Sequence, residues 1–293
     1  LKNYIVRGLA ANKSIRFFVA INTDMVENAR ETHKTTPVAT AALGRTITAA
    51  SIMGNMLKGE KDKLTLQIRG SNEIKSIVAV ADSKGDVKGY ISNPYLDVAI
   101  NDQGKLDVGG AVGKNGKLII IKDLGLKKPY VGQSNLVTGE IAEDIAAYYM
   151  YSEQQPSVVS LGVLLDVDGS VKASGGFIIQ PLPDIEEELL IKLEEAIKDI
   201  PSISSMVDDG MSGEEIIETI LKDFDIEIMD KTEIDFVCDC TKEKIEKALI
   251  SIGQDELTAI IEEDGKAEIN CHFCNKSYAF NKEELIELLN SAI

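Results

Sequence analysis

Cys238-Asp239-Cys240 and, thirty residues further on, Cys271-His272-Phe273-Cys274 hold every cysteine of a 293-residue chain. Four thiols gathered at one end form a metal site, a redox switch, or one device that is both. That choice decides how the rest of the chain is organised. Cys-x-x-Cys at the tip of the alternating stretch Glu268 to Phe280 is a standard half-site for tetrahedral Zn²⁺. Cys-x-Cys in extended chain points both side chains to one face, since residues i and i+2 share a side, so both can reach one ion. The pattern predicts one Zn²⁺ per chain with Cys238, Cys240, Cys271 and Cys274 as ligands. Four sulfurs complete that set, which leaves His272 as a solvent-facing or supporting residue.

The module around these cysteines, residues 233–293, has Phe236, Phe273, Tyr278 and Phe280 as its aromatics, and the chain has no Trp. So small a core is marginal alone, whereas structural zinc contributes roughly 10–16 kcal/mol of apparent folding energy at neutral pH. Removing the ion is expected to unfold the module. Zinc-bound sulfurs in accessible sites still react with oxidants, and near neighbours can condense to disulfides. The expected elements are helices at Lys242 to Ile252 and Gln254 to Glu263, a Cys-x-x-Cys hairpin, and a last helix from Lys282 with Asn281 as its N-cap.

Upstream, Pro181 and Pro183 mark a change of composition. Ile185, Leu189, Leu190, Leu193, Ala196, Ile197 and Ile200 recur at helical spacing between Asp184, the expected N-cap, and Pro201. Shorter helices follow at Ile203 to Asp208 and from Ser212 to about Lys222. Residues 181–232 thus read as an acidic, amphipathic helical linker whose apolar stripe packs on the first domain. The charge is divided to match: residues 1–180 sum to +3 and residues 181–293 to −20. An acidic C-terminal half argues against nucleic-acid binding through the cysteines, because phosphate contacts need Lys and Arg.

Residues 1–180 mix helices and strands without a βαβ beat, which predicts an α+β domain. Strands are expected at Tyr4 to Val6, Arg16 to Ile21, Leu64 to Arg69, Ile74 to Ala81, Val87 to Ser92, Lys117 to Lys122, Ser157 to Val167 and Val171 to Gln180. Helices are expected at Thr23 to Lys34, Val38 to Leu57 and Ala142 to Ser152. The fold class is therefore an α+β N-terminal domain, a helical linker and a small zinc-binding C-terminal domain. Val38 to Leu57 is long enough for a membrane span, but Arg45 and Asn55 interrupt it, so a buried helix rich in small residues is expected. Leu1 to Ala10 lacks the pattern of a signal peptide, which points to a reducing cytosol, where structural disulfides are rare.

Enzymatic signatures are weak. Asp166-Val167-Asp168-Gly169 lacks the further ligands of a calcium loop and reads as a hairpin turn. Gly113-Lys114-Asn115-Gly116-Lys117 lacks the spacing of a phosphate loop and reads as a turn. His33, next to Lys34, reads as a surface residue at a helix end. Glu140, Glu143 and Asp144 form a carboxylate cluster of the kind a helix N-terminus favours.

The cysteine pattern resembles the heat shock protein 33 family, and the likeness spans essentially the whole chain. Gly139-Glu140-Ile141-Ala142-Glu143-Asp144, Tyr148 and Ser152-Glu153-Gln154-Gln155-Pro156-Ser157 look like the family's central motif. Gly175-Gly176-Phe177-Ile178-Ile179-Gln180 looks like its domain-closing strand, and Cys271 to Asn275 with Tyr278 and Phe280 like its zinc hairpin. Ala42-Leu43-Gly44-Arg45-Thr46 resembles its central helix. The resemblance implies a non-enzymatic, ATP-independent holdase of bacterial cytosol, inactive while reduced and zinc-bound. Peroxide-type or hypochlorous oxidation together with unfolding stress would form disulfides Cys238–Cys240 and Cys271–Cys274 and release zinc. The zinc module would then unfold, the linker would lose stability, and apolar surface would bind unfolding clients. The active form would be a homodimer, with no role for nucleic acid or membrane.

Two rival classes have sequence tests. A thiol-disulfide oxidoreductase would use Cys271 and Cys274, but that pair sits in a hairpin rather than opening a helix after a strand. A zinc ribbon binding nucleic acid would need the basic surface that residues 181–293 lack.

Overall fold

The computed structural model describes residues 2–102, 104–183 and 185–291. They form two compact units, Leu1–Val237 and Cys238–Ile293. Residues 181–232 fall within the first of these units.

The first unit opens with a hairpin of β1 (Tyr4–Ala10) and β2 (Ile15–Ile21), followed by α1 (Thr23–His33) and α2 (Pro37–Asn55). Next come β3 (Lys63–Arg69), β4 (Ser76–Asp82), β5 (Val87–Ile91), the single turn α3 (Val108–Val112), β6 (Lys117–Asp123) and β7 (Tyr130–Asn135). Then follow α4 (Ala142–Ser152), β8 (Val158–Leu165), β9 (Val171–Pro181), α5 (Glu187–Ala196), α6 (Ile203–Asp208), α7 (Gly213–Ile220) and β10 (Ile226–Glu233). Two antiparallel five-stranded sheets result, ordered β10-β1-β2-β9-β8 and β5-β4-β3-β6-β7.

Helix α2 packs between them, and from Thr40 to Asn55 all of it is buried save Arg45. Its small residues make this possible: a Cβ added at Gly44 would stand 2.7 Å from a methyl of Val26. No helix among the described residues is long and apolar enough to cross a membrane.

The first sheet is apolar on both faces. Successive side chains of a strand alternate sides. Ile5, Phe18, Ala20 and Ile178 accordingly face the core shared with α1 and α2, while Tyr4, Val6, Phe17, Val19, Phe177 and Ile179 face away from it. That second face is roofed by Leu193 of α5, Ile203 and Met206 of α6, and Ile216, Ile217, Ile220 and Leu221 of α7 and its end. The runs Ile15–Ile21 and Val171–Pro181 are continuous in apolar character for this reason, as strands covered on both sides are. The acidic outer faces of α5 and α7 remain in solvent.

Three expectations change. The linker does not end as helix. Residues 226–233 form β10, which pairs with β1 although its sequence is largely charged, because an edge strand tolerates charge and the partner supplies the backbone bonds. The first linker helix is shorter than Asp184 to Ile200, and its proposed N-cap, Asp184, lies outside the described residues. His33 is not a surface residue. It is 8% exposed, its Nε2 lies 2.9 Å from the carbonyl of Gly89, and its ring meets that of Phe236 edge-on. Phe236 belongs to a strap that follows β10: Val87 donates to the carbonyl of Asp235 and accepts from the amide of Val237.

The second unit contains α8 (Lys242–Ser251), α9 (Gln254–Glu263), the hairpin β11 (Lys266–Asn270) and β12 (Ser277–Asn281), and α10 (Lys282–Ser291). Asn281 caps α10 as expected. Its side chain accepts from Glu284 N, and Glu284 reaches back to the Asn281 amide, each at 2.9 Å.

Candidate metal centre

The β11–β12 ladder runs from Lys266–Asn281 to Asn270–Ser277, and its tip carries Cys271 and Cys274. Cys271 N donates to Lys276 O at 2.9 Å and Asn275 N to Cys271 O at 2.8 Å, which turns the chain back within six residues. Asn275 takes a left-handed φ of 57°, a conformation Asn tolerates well. Cys238 and Cys240 come from the extended segment before α8, whose N-cap is Thr241. Lys244 holds that segment by binding both the Asp239 carboxylate and its carbonyl, at 2.5 and 2.8 Å. Lys242 bridges from it to Glu284 at 2.5 Å and lies 5.1 Å above the Phe280 ring.

All four expected sulfurs meet, within 4.8 Å of one another. Among the described residues this is the one group of three or more potential ligands. Cys238 Sγ lies 3.7 Å from Cys271 Sγ and Cys240 Sγ 3.3 Å from Cys274 Sγ, so both approaches cross between the half-sites. Four sulfurs bound at about 2.3 Å around one Zn²⁺ stand about 3.8 Å apart in a tetrahedron. The observed spacings fall at or slightly inside that value and far outside the roughly 2.05 Å of a disulfide. The donor set fits a soft, tetrahedral cation.

Its electrostatics point the same way. Burial pushes the Cys238 thiol up, and it raises Cys274 too. Burial also opposes ionisation of Cys240, but hydrogen bonds from Tyr278 and the neighbouring thiols outweigh it and hold that thiol at about 7. The hydrogen bond to Cys240 in turn lifts the Tyr278 hydroxyl to about 12. Like-charged thiolates at this spacing resist ionising together, and Cys240 stands as the acidic thiol against Cys238 and Cys274. A divalent cation among them reverses this and lets all four carry charge.

Tyr278 is the functional residue whose role the sequence did not disclose. Its hydroxyl lies 3.2 Å from Cys240 Sγ and 3.1 Å from Cys240 O, tying the hairpin to the Cys-x-Cys segment. Alternation along β12 marked it only as a strand aromatic.

The other candidates have structural roles. Asp144 is fully buried and accepts from the amides of Val137, Thr138, Gly139 and Ile141. Glu140 pairs with Arg45 at 2.5 Å and accepts from Gly109 N at 3.1 Å. Asp166 to Gly169 closes the β8–β9 hairpin, where Asp168 accepts from Ser170 N at 2.9 Å. Cys271 and Cys274 stand at a hairpin tip and not at a helix N-terminus, the setting that activates a redox Cys-x-x-Cys.

Comparison with known proteins agrees over the same residues. A family model described as Hsp33 protein matches residues 3–281. A 33 kDa chaperonin of Alkaliphilus metalliredigens is 54% identical over 290 residues, covering 99% of both chains. One from Clostridioides difficile is 50% identical over 289 residues, with the same coverage. The crystal structure of the 33 kDa chaperonin (heat shock protein 33 homolog) of Thermotoga maritima superposes with a TM-score of 0.89 at 39% identity, covering 99% of each chain.

Proposed function

Because the chain belongs to the heat shock protein 33 family, we propose that it is a redox-regulated, ATP-independent holdase chaperone of the cytoplasm. Its clients are unfolded or partly folded proteins, and its active form is a homodimer. The convergence of all four cysteines in one small unit carries this reading.

In the reduced state Cys238, Cys240, Cys271 and Cys274 hold one Zn²⁺, which supplies the charge compensation that lets four thiolates share the site. A peroxide oxidises one thiolate of a pair, leaving a sulfenic acid and releasing water or an alcohol. The neighbouring thiolate attacks that sulfur and expels the hydroxyl as water. One oxidant is consumed and two electrons leave for each disulfide. Pairing Cys238 with Cys240 and Cys271 with Cys274 uses up every donor of the site. The unit Cys238–Ile293 then loses what holds it folded, since Leu249, Leu257, Ile261, Phe280 and Leu285 are its buried core.

The segment 181–232 is the linker in this scheme and residues 1–180 the client-binding and dimerisation domain. Loosening of α5, α6 and α7 uncovers the apolar face of Tyr4, Val6, Phe17, Val19, Phe177 and Ile179. An apolar surface of that kind binds unfolding chains without nucleotide.

Light scattering from a thermally unfolding client tests the reading. Oxidised, zinc-free protein is expected to suppress aggregation in the absence of ATP, and reduced, zinc-bound protein is not. Coincident curves for the two forms would sink it.

A further inference from the structure

The last strand of the linker, β10, is attached in an unusual way. Strand β1 is buried save for the exposed Arg7 and the half-buried Leu9, whereas of the eight residues of β10 only Ile226 and Thr232 are even partly covered. Ile228 and Met229 stand 41% and 63% exposed. Side-chain anchors are few: Arg7 to Asp230 at 3.2 Å, Lys13 to Glu227 at 4.0 Å, and Lys231 to Glu214 and over the Tyr4 ring. Exposed ion pairs of this sort are individually weak.

What holds β10 is the backbone ladder. It runs in antiparallel register from Tyr4–Glu233 to Ala10–Ile226, with a register shift between Arg7 and Gly8. At that shift the chains come so close that a Cβ on Gly8 would stand 2.3 Å from the carbonyl oxygen of Glu227. The edge of β1 therefore reads main chain and almost no side chain.

We propose that β10 is an internal stand-in for client, and that the β1 edge is a binding site for an extended segment of unfolded polypeptide. When the linker loosens, β10 leaves and the N–H and C=O groups of Tyr4–Ala10 that face it lose their partners, while those facing β2 keep theirs. An unfolded chain supplies replacements, because every sequence except proline carries the same donors and acceptors. The site spans the seven residues Tyr4–Ala10, with the bulge between Arg7 and Gly8, and is indifferent to client sequence. Of the other edges in the two sheets, β8 and β7 pair with no linker strand, and β5 meets only the short strap 235–237 at Val87, so β1 is the edge from which linker release removes a full strand. The inference deepens the holdase reading by naming the chemistry recognised, and it rests on that reading for the event that opens the edge in the wild type.

The test uses the full-length, reduced, zinc-loaded Ile228→Pro/Met229→Pro double variant, which removes two consecutive amide donors from β10 and opens the edge without oxidation. The probe is a fluorescent peptide with the sequence of residues 226–233, together with a scrambled version and one N-methylated at every backbone amide, which leaves neither edge of the strand able to donate. The scrambled peptide is expected to bind within about threefold of the original, as main-chain recognition requires. The N-methylated peptide is expected to bind at least about tenfold more weakly, having lost several hydrogen bonds. Equal binding of methylated and unmodified peptides overturns the inference and leaves the redox switch untouched.

Should the double variant not fold, the oxidised wild type titrated with the same three peptides gives the same comparison. Hydrogen exchange, read only at the amides of Tyr4–Ala10 that face β10 and not β2, separates the two readings: in the wild type these amides should be protected when reduced, exposed when oxidised, and protected again with bound client. Amides that stay protected after oxidation overturn the linker-release step, whereas amides still exposed with client bound overturn the edge site.

Discussion

The two units keep themselves folded by different means. Leu1–Val237 has two apolar clusters, one on each face of its first sheet, with α2 buried almost throughout. Among its described residues Cys238–Ile293 has a cluster of five buried apolar side chains and four sulfurs within 4.8 Å. Burial decides the first, and on the proposed reading ligand chemistry decides the second. Stability that resides in packing changes little with redox conditions, whereas stability that resides in thiolates is lost when they are oxidised.

The largest expected effect isolates that contrast. Chelation of zinc combined with peroxide should abolish the helical signal of α8, α9 and α10, removing a contribution of about 10–16 kcal/mol, while the sheets of the first unit persist. Far-UV circular dichroism with segment-resolved hydrogen exchange reads this. A metal-free second unit that kept its exchange protection would remove the contrast altogether. Disulfide mapping of the product sharpens it: local pairs are expected, although both close sulfur approaches in the reduced geometry run across the half-sites.

Next in size is a change confined to the roof of the first sheet. Ile217→Ala deletes a fully buried side chain of α7 and should cost about 2–5 kcal/mol. The expected result is faster proteolysis within residues 181–232 and a lower oxidant dose for activation, with zinc content unchanged. Unaltered proteolysis would mean the linker is held by something other than this apolar contact.

Acid should find the first unit through Glu153. Burial works against its carboxylate, but Lys122 at 2.7 Å and the Tyr148 hydroxyl at 2.6 Å outweigh that and hold its pKa below the usual 4.5. A carboxylate depressed on folding stabilises above its unfolded pKa, and the contribution is lost as pH falls through the folded value. Glu153→Gln should therefore cost about 1–3 kcal/mol at neutral pH and show less further loss than the wild type below about pH 4. Parallel denaturation curves from pH 7 to pH 3 would exclude the pair as a source of acid sensitivity.

The smallest effect expected is at His272. Replacing it by Ala should leave one zinc per chain if, as proposed, the four clustered sulfurs complete the coordination. Stoichiometry by elemental analysis checks this.

Much of this organisation could be read from the chain before its structure, for reasons that differ by region. Helices α6 and α9 occupy the expected residues because their stripes are bounded by sharp signals, Ser202 and Asp209 in one case and Gly253 and Asp264 in the other. The sulfur cluster was readable because ligand spacing is a chemical constraint that survives any packing. Strand β10 was not, since Glu227, Asp230, Lys231 and Glu233 give it no apolar signal and its partner lies more than two hundred residues away. His33 looked like a surface residue because burial of a lone histidine depends on Gly89 and Phe236, which are distant in sequence. The hydroxyl of Tyr278 belongs to the same class: its two contacts exist only once the hairpin meets the Cys-x-Cys segment.

The acidic outer faces of α5 and α7 have a colloidal consequence. Residues 181–293 carry a net charge of −20, and that charge stays covalently attached to the first sheet whether or not the roof is in place. A protein that uncovers an apolar face would ordinarily precipitate with whatever it captures. In the proposed switch, the event that bares the face would also turn its cover into a polyelectrolyte brush, and mutual repulsion between such brushes would keep loaded particles dispersed.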